Sequence, residues 1–267
     1  MAKKRKSART KKADVASTRG PLPLGGKVAV ITGGGTGIGY YTARLLAVIG
    51  CEVIITGRRQ RVLADAVKKL NGEVAQIHGA GGGGEVRAEV CDVSDEKAVA
   101  RLAASVKRTH GRIDILFNNA GVMQRIIHID KLDLKHWYEV MEANLTGTFL
   151  MTRAALPLMG AGGTIINNIS VSAYENFAGG AAYNAAKAGA LSFTRTLRNE
   201  VRERGIRVVA VVPGATDTPM WEQFWADAPR EKMVHPAAVA DAVVSTILLP
   251  GNAVVEEIRI APTSGSL

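Results

Sequence analysis

At 267 residues and 47% hydrophobic content, the chain can bury one sizeable core and sits near the upper size of a single domain. No apolar run reaches the ~18 residues of a membrane span, and the basic N-terminus is not followed by the apolar core of a secretory signal, so neither a membrane nor a secreted protein is expected. Of the formal charge of +10, residues 1–20 carry eight Lys or Arg against one Asp; the rest of the chain is close to balanced and says little about a polyanionic partner.

Residues 1–23, with the runs Lys3-Lys4-Arg5-Lys6 and Lys11-Lys12, hold too few large apolar groups to fold and read as a disordered basic arm before a domain over residues 24–267. A solubilising extension, a nuclear address and a nucleic-acid contact all suit such charge. Deleting residues 1–20 is expected to leave turnover and melting temperature unchanged; a fall of several degrees would show that the arm packs on the domain.

Residues 28–32 form a continuous apolar run of the kind buried on both faces of a sheet, followed by Gly33-Gly34-Gly35-Thr36-Gly37-Ile38-Gly39 and a helical stretch over 41–49. Strand, glycine loop and helix make a phosphate cradle, because glycines admit close backbone approach and the helix presents free N–H groups. A second strand over 53–56 ends at Gly57, where such folds usually place an acidic residue for the ribose 2′-hydroxyl. Arg58 and Arg59 follow, which favours a 2′-phosphate and hence NADP over NAD; the alternative is ordinary loop charges. Next come a helix over 61–70, a glycine-rich turn over 79–84, a strand over 86–90 leading to Asp92, and an amphipathic helix over 95–109 with Ser94 as its expected N-cap. This alternation implies a parallel sheet. Cys51 and Cys91 lie beside strand-like runs without disulfide or metal-ligand spacing, which suits buried thiols in a reducing, cytoplasmic setting and no metal.

The strand over 113–117 ends in Asn118-Asn119-Ala120-Gly121, small polar residues at the edge where such sheets bind ligands. A helical region over 134–159 contains Asn144, a residue that competes with the helical backbone and is either functional or a satisfied core amide. After a strand over 164–169, Ser170 stands thirteen residues before Tyr183, and Tyr183 four before Lys187 on a helix reaching to about residue 204. Four residues apart on a helix share a face, and a cation about 4 Å from a phenol supplies ~4 kcal/mol at an effective dielectric of ~20, enough to bring a pKa near 10 close to neutral. With Ser170 the pair could move a proton onto or off an alcohol oxygen. Alone, the Tyr/Lys spacing is a weak signal that favours a helix-surface pair with a solvated lysine, and the rest of the chain has to decide. A sixth strand over 206–212 is ended by Pro213-Gly214, and residues 215–225 place Trp221, Phe224 and Trp225 where a lid would sit or where aromatics would pack on the core or a second subunit. A helix over 236–248 and a strand over 254–260 complete the chain.

With these motifs in order, residues 26–263 resemble the classical short-chain dehydrogenase/reductase family. The resemblance rests on Thr32-Gly33-x-x-x-Gly37-Ile38-Gly39, Asn118-Asn119-Ala120-Gly121, Asn144, Ser170, Tyr183-x-x-x-Lys187, and Pro213-Gly214 with Thr218. It implies a single α/β Rossmann-type, doubly wound domain with a parallel sheet of about seven strands flanked by helices. It also implies hydride transfer between nicotinamide and a carbonyl or secondary alcohol, usually in a homotetramer or homodimer. By that likeness Tyr183 is the general acid/base, Lys187 lowers its pKa and binds the nicotinamide ribose, Ser170 bonds the substrate oxygen, and Asn144 holds a relay water. Gly33, Thr36, Gly37, Ile38 and Gly39 would form the pyrophosphate site, and Arg58 would go with NADP. Asp92 and Val93 would contact adenine, Asn119, Ala120 and Gly121 the adenosine side, and Pro213, Gly214, Thr216 and Thr218 the nicotinamide amide.

Three features depart from the pattern: the basic arm, Asn167-Asn168 where a more apolar pair is common, and a short stretch after the last strand to close the site. The competing class is a nicotinamide-sensing regulator, or a nucleic-acid-associated protein using the arm, but a pure sensor has no need of a proton relay. The substrate pocket is expected to use Met123, Tyr174, Phe177 and residues 220–225, suiting an apolar or bulky substrate.

Overall fold

The computed structural model describes residues 22–79, 82–123 and 125–265, so the expected arm lies almost wholly outside the described residues. Seven parallel strands form one sheet: β1 (Val28–Thr32), β2 (Glu52–Gly57), β3 (Val86–Val90), β4 (Ile115–Asn118), β5 (Thr164–Asn168), β6 (Arg207–Pro213) and β7 (Glu257–Ile260). Their order is β3-β2-β1-β4-β5-β6-β7, so the connections reverse direction between β1 and β4. In an open α/β sheet that switch opens a crevice at the carboxyl ends of the strands, and it falls here between the glycine loop and the Asn119 segment.

Eight α-helices are described: α1 (Gly37–Val48), α2 (Gln60–His78), α3 (Glu96–Thr109), α4 (Leu134–Met141), α5 (Gly147–Ala155), α6 (Ala181–Val201), α7 (Trp221–Phe224) and α8 (Pro236–Ile247). One core layer joins Leu46, Leu63, Leu70, Val243 and Ile247 of α1, α2 and α8 to the β1 and β2 side chains Ile31 and Ile55. The other joins Val99, Leu102, Met151, Leu197 and Val201 of α3, α5 and α6 to Val30, Leu116 and Ile165. Burial on both faces explains why the central strands read as unbroken apolar runs rather than as alternation.

Several local expectations are corrected. The N-cap of α3 is Asp95, whose carboxylate accepts the Lys97 N–H, whereas Ser94 donates its own N–H and hydroxyl to Asp92. Helix α2 continues to His78 because Leu63, Ala66, Leu70 and Val74 keep a buried face at helical spacing. The helix expected over 134–159 is split by a π-helical stretch, Glu142–Thr146, and finishes in a short 3-10 turn, Leu156–Leu158. Strand β7 begins at Glu257, later than the apolar residues from 254 suggested.

Candidate active site

The glycine loop joins β1 to α1 at the crevice. Gly33 and Gly37 have φ of 64° and 55°, a region that disfavours side chains. A Cβ on Gly39 would come within 2.6 Å of both the Asn119 Nδ2 and the Gly33 carbonyl oxygen. The first helical N–H bond of α1 runs from Tyr40 to the Thr36 carbonyl, which leaves the Gly37, Ile38 and Gly39 amides ahead of the hydrogen-bonded ladder. No acidic side chain stands in the first turn. Narrow glycine backbone, free amides and a positive helix end fit a pyrophosphate.

Asn119 closes the other side of the crevice. Its side-chain amide donates to the carbonyls of Thr32 (3.0 Å) and Gly33 (3.2 Å), while the Thr32 hydroxyl accepts the N–H groups of Asn119 and Ala120, both at 2.9 Å. Thr32 is thus a positioning residue that periodicity could only read as the end of an apolar strand. Asn118 donates to Asn167 Oδ1 and Thr152 Oγ1, and Asn167 donates onward to Thr194 Oγ1. Asn167, the first of the two asparagines that end β5, is therefore part of a buried amide network tying β4, β5, α5 and α6 together.

Asn144 lies in the π stretch, 1% exposed, and donates to the carbonyls of Val122 (2.8 Å) and Val140 (2.9 Å). Widening the helix accommodates a side chain that takes a backbone carbonyl as partner. Its Oδ1 has no partner among the described residues, and it would sit 2.5 Å from a Cβ on Gly121, with the Lys187 ammonium 3.8 Å from the same point. A buried, unsatisfied acceptor beside a cation is a place for one more polar group, such as a water.

Ser170 follows β5, and its hydroxyl accepts the Ser172 N–H at 3.2 Å as cap of the 3-10 turn Val171–Ala173. A hydroxyl that accepts one bond still has its proton to donate. Tyr183 and Lys187 share the inward face of α6, 8% and 5% exposed, with the ammonium 5.7 Å from the ring centroid. Burial raises the Tyr183 phenol above its ordinary pKa and a hydrogen bond with Ser170 pulls it back in part. Burial also lowers Lys187 to about 8, and its ammonium donates to the Asn168 carbonyl at 2.8 Å. Ser170, Tyr183 and Lys187 do meet; burial disfavours both charged forms and so acts on the phenol against the pull toward neutrality expected from the lysine.

Arg58, two-thirds exposed just after β2, has its guanidinium 4.0 Å from the Asp92 carboxylate beyond β3. Past β6, Thr216 bridges Val234, and the Trp221 indole donates to the Thr216 carbonyl. Thr218 approaches the glycine loop, 3.0 Å from a Cβ on Gly37, and Arg230 holds this segment through Asp217 and the Thr218 carbonyl. Met123 and Phe177 pack in one cluster with Tyr183. Tyr174 does not: its hydroxyl bonds Glu257 and its ring centroid lies 6.0 Å and 5.1 Å from the Arg195 and Arg259 guanidinium carbons on the α6 and β7 side, so it leaves the expected pocket. The side chain of Phe224 lies outside the described residues. Among the described residues no cluster of three or more His, Cys, Asp or Glu forms, and no helix is long and apolar enough to cross a membrane.

A glycine-cradled crevice at the sheet's switch point, with a tyrosine, lysine and serine at its end, defines a dinucleotide-binding oxidoreductase. The short chain dehydrogenase profile matches residues 27–229, and the chain belongs to the short-chain dehydrogenase/reductase family of oxidoreductases. It is 32% identical to an uncharacterized oxidoreductase of Staphylococcus saprophyticus, covering 90% of this chain and 99% of the relative. It is 38% identical to a 3-oxoacyl-(acyl-carrier-protein) reductase of Synechocystis, covering 76% and 80%. Among solved structures, a metagenomic short-chain oxidoreductase in complex with NADP superposes with a TM-score of 0.77 at 30% identity over 90% of this chain and 99% of the other. A variant of actinorhodin polyketide ketoreductase with NADPH also gives 0.77, at 29% identity over 88% and 96%.

Proposed function

We propose that this protein is an NADP(H)-dependent oxidoreductase that interconverts a carbonyl and a secondary alcohol, with Tyr183 as general acid/base. The observation that carries the reading is the meeting of buried Tyr183 with Ser170 and Lys187, the lysine lying beside Gly121 on the crevice. The nicotinamide, when bound, supplies or accepts the hydride. Gly33, Thr36, Gly37, Ile38 and Gly39 hold the pyrophosphate, Asp92, Val93, Asn119, Ala120 and Gly121 line the adenosine side, and Pro213, Gly214, Thr216 and Thr218 meet the nicotinamide end. Ser170 donates to the substrate oxygen, Tyr183 delivers or takes its proton, and Asn144 with Lys187 returns that proton through water. Burial keeps the phenol protonated at neutral pH, which suits an acid that donates to a carbonyl during reduction. The test is purified protein with each nicotinamide cofactor against a panel of ketones, aldehydes and alcohols; no turnover by a protein that binds cofactor would favour the sensor reading.

Cofactor choice rests on Gly57 and Arg58. Gly57 offers no carboxylate to a 2′-hydroxyl, and Arg58 can exchange its exposed Asp92 partner, at 4.0 Å, for a phosphate with charge-assisted bonds worth about 1.5–3 kcal/mol. NADPH is expected to bind roughly ten to a hundredfold more tightly than NADH, and Gly57→Asp with Arg58→Ala to reverse the order. Nicotinamide fluorescence titrations check both, and tighter NADH binding by the unmodified protein would overturn the assignment.

Two further readings belong with this function. Free, buried thiols at Cys51 and Cys91 support a reducing, cytoplasmic setting. Leu134, Tyr138 and Phe149 are exposed along α4 and α5, and Phe149 meets Phe193 of α6 edge to face, which supports a homodimer or homotetramer built on this side. Light scattering is expected to show an oligomer that Phe149→Asp weakens; a monomeric wild type would refute it.

A further inference from the structure

We propose that Asn168, at the end of β5, is a positioning residue that locks Asn119 onto the phosphate-binding loop, an inference that rests on the cofactor reading above. Both donors of the Asn119 amide are committed, at 3.0 Å and 3.2 Å, to the carbonyls of Thr32 and Gly33, the residues at which β1 turns into the glycine loop. That fixes which way the amide faces, so its Oδ1 must take a proton from the opposite side. Asn168 Nδ2 supplies it at 2.9 Å. An apolar residue at this place would have no donor and would leave the acceptor unpaired. The same residue's carbonyl accepts the Lys187 ammonium at 2.8 Å, so Asn168 joins the loop that holds phosphate to the lysine at the catalytic end.

The link also constrains shape. Asn119 Nδ2 occupies the space that any side chain on Gly39 would need, 2.6 Å from the Cβ position. If Asn119 turned, the loop would lose two carbonyl anchors at the place where it approaches pyrophosphate. Asn168 Oδ1 is buried and has no partner among the described residues, so the side chain is held by its donor side.

The test is a double-mutant cycle on cofactor affinity. Asn168→Ile is expected to weaken NADPH binding about tenfold, the scale of an unpaired, partly buried acceptor, with the loss in cofactor Kd and KM rather than in kcat. Asn168→Asp, which keeps the shape without the donor, is expected to weaken binding in the same direction. In an Asn119→Ala background Asn168→Ile should weaken binding no further. Additive losses, or a lowered Tm with unchanged NADPH affinity in both Asn168 variants, would overturn the proposal. An unmodified protein that bound no dinucleotide at all would instead sink the functional reading on which it rests.

Discussion

Tyr183→Phe is expected to lower turnover by on the order of 10² to 10⁴, the range for removing a positioned acid/base, while cofactor affinity and Tm stay close to those of the unmodified protein. The ring is 8% exposed and packs with Phe177, Val140 and Ala186, and phenylalanine fills the same space. Ser170 keeps its bond from the Ser172 N–H when the phenol is gone. The hydroxyl therefore contributes to chemistry far more than to the fold. Burial holds the phenol above its ordinary value, so the acid form dominates at neutral pH, and the base form needed to oxidise an alcohol grows as pH rises. Oxidation should accelerate with pH in the unmodified protein and be slow at every pH in the variant. Turnover like that of the unmodified protein would remove Tyr183 from the mechanism.

Lys187→Met is expected to lower turnover by on the order of 10² and weaken the cofactor, yet to raise the Tm of the cofactor-free protein at neutral pH. Burial brings the folded-state pKa from 10.5 to about 8, a shift worth roughly 3 kcal/mol at about 1.36 kcal/mol per unit. Below about pH 8 the ammonium is charged in both folded and unfolded chains and the desolvation penalty is fully present. As pH rises toward 10.5 the folded chain loses its proton first, the penalty is relieved, and stability increases. The advantage of methionine should thus be largest below pH 8, reduced by the ~1–3 kcal/mol of the lost bond to the Asn168 carbonyl, and fade in alkali. Melting curves from pH 6 to 10 check the trend. A variant less stable than the unmodified protein at pH 7 would show that the ammonium's hydrogen bond outweighs its desolvation.

The parallel sheet, its glycine loop and the tyrosine, lysine and serine set were legible because each rests on short-range chemistry, whereas the strand order β3-β2-β1-β4-β5-β6-β7 came only with the fold. Doubly buried strands read as apolar runs, a glycine loop can serve few purposes, and four residues on a helix share a face. Other features depend on contacts distant in sequence. The pairing of Asn168 with Asn119 spans 49 residues, and only the fold shows that an amide pair resembling a departure is a fastening. Asn144 was visible as a residue ill suited to a helix, but the π stretch that relieves the conflict was not. Tyr174 looked like pocket lining by position after Ser170, whereas Glu257, Arg195 and Arg259, brought up from α6 and β7, draw it to the surface. The burial that raises the phenol was not legible either, because helical spacing reveals neighbours and not burial.

The most direct measurement of the central claim is a single-turnover experiment that follows nicotinamide absorbance. Purified protein is loaded with NADPH, mixed with ketones and aldehydes of graded size, and compared with the Tyr183→Phe variant carrying the same cofactor. NADPH oxidation coupled one to one to alcohol formation, and slowed by at least about a hundredfold in the variant, is the predicted result. Equal rates in the two proteins, or tight NADPH binding with no oxidation across the panel, would contradict it.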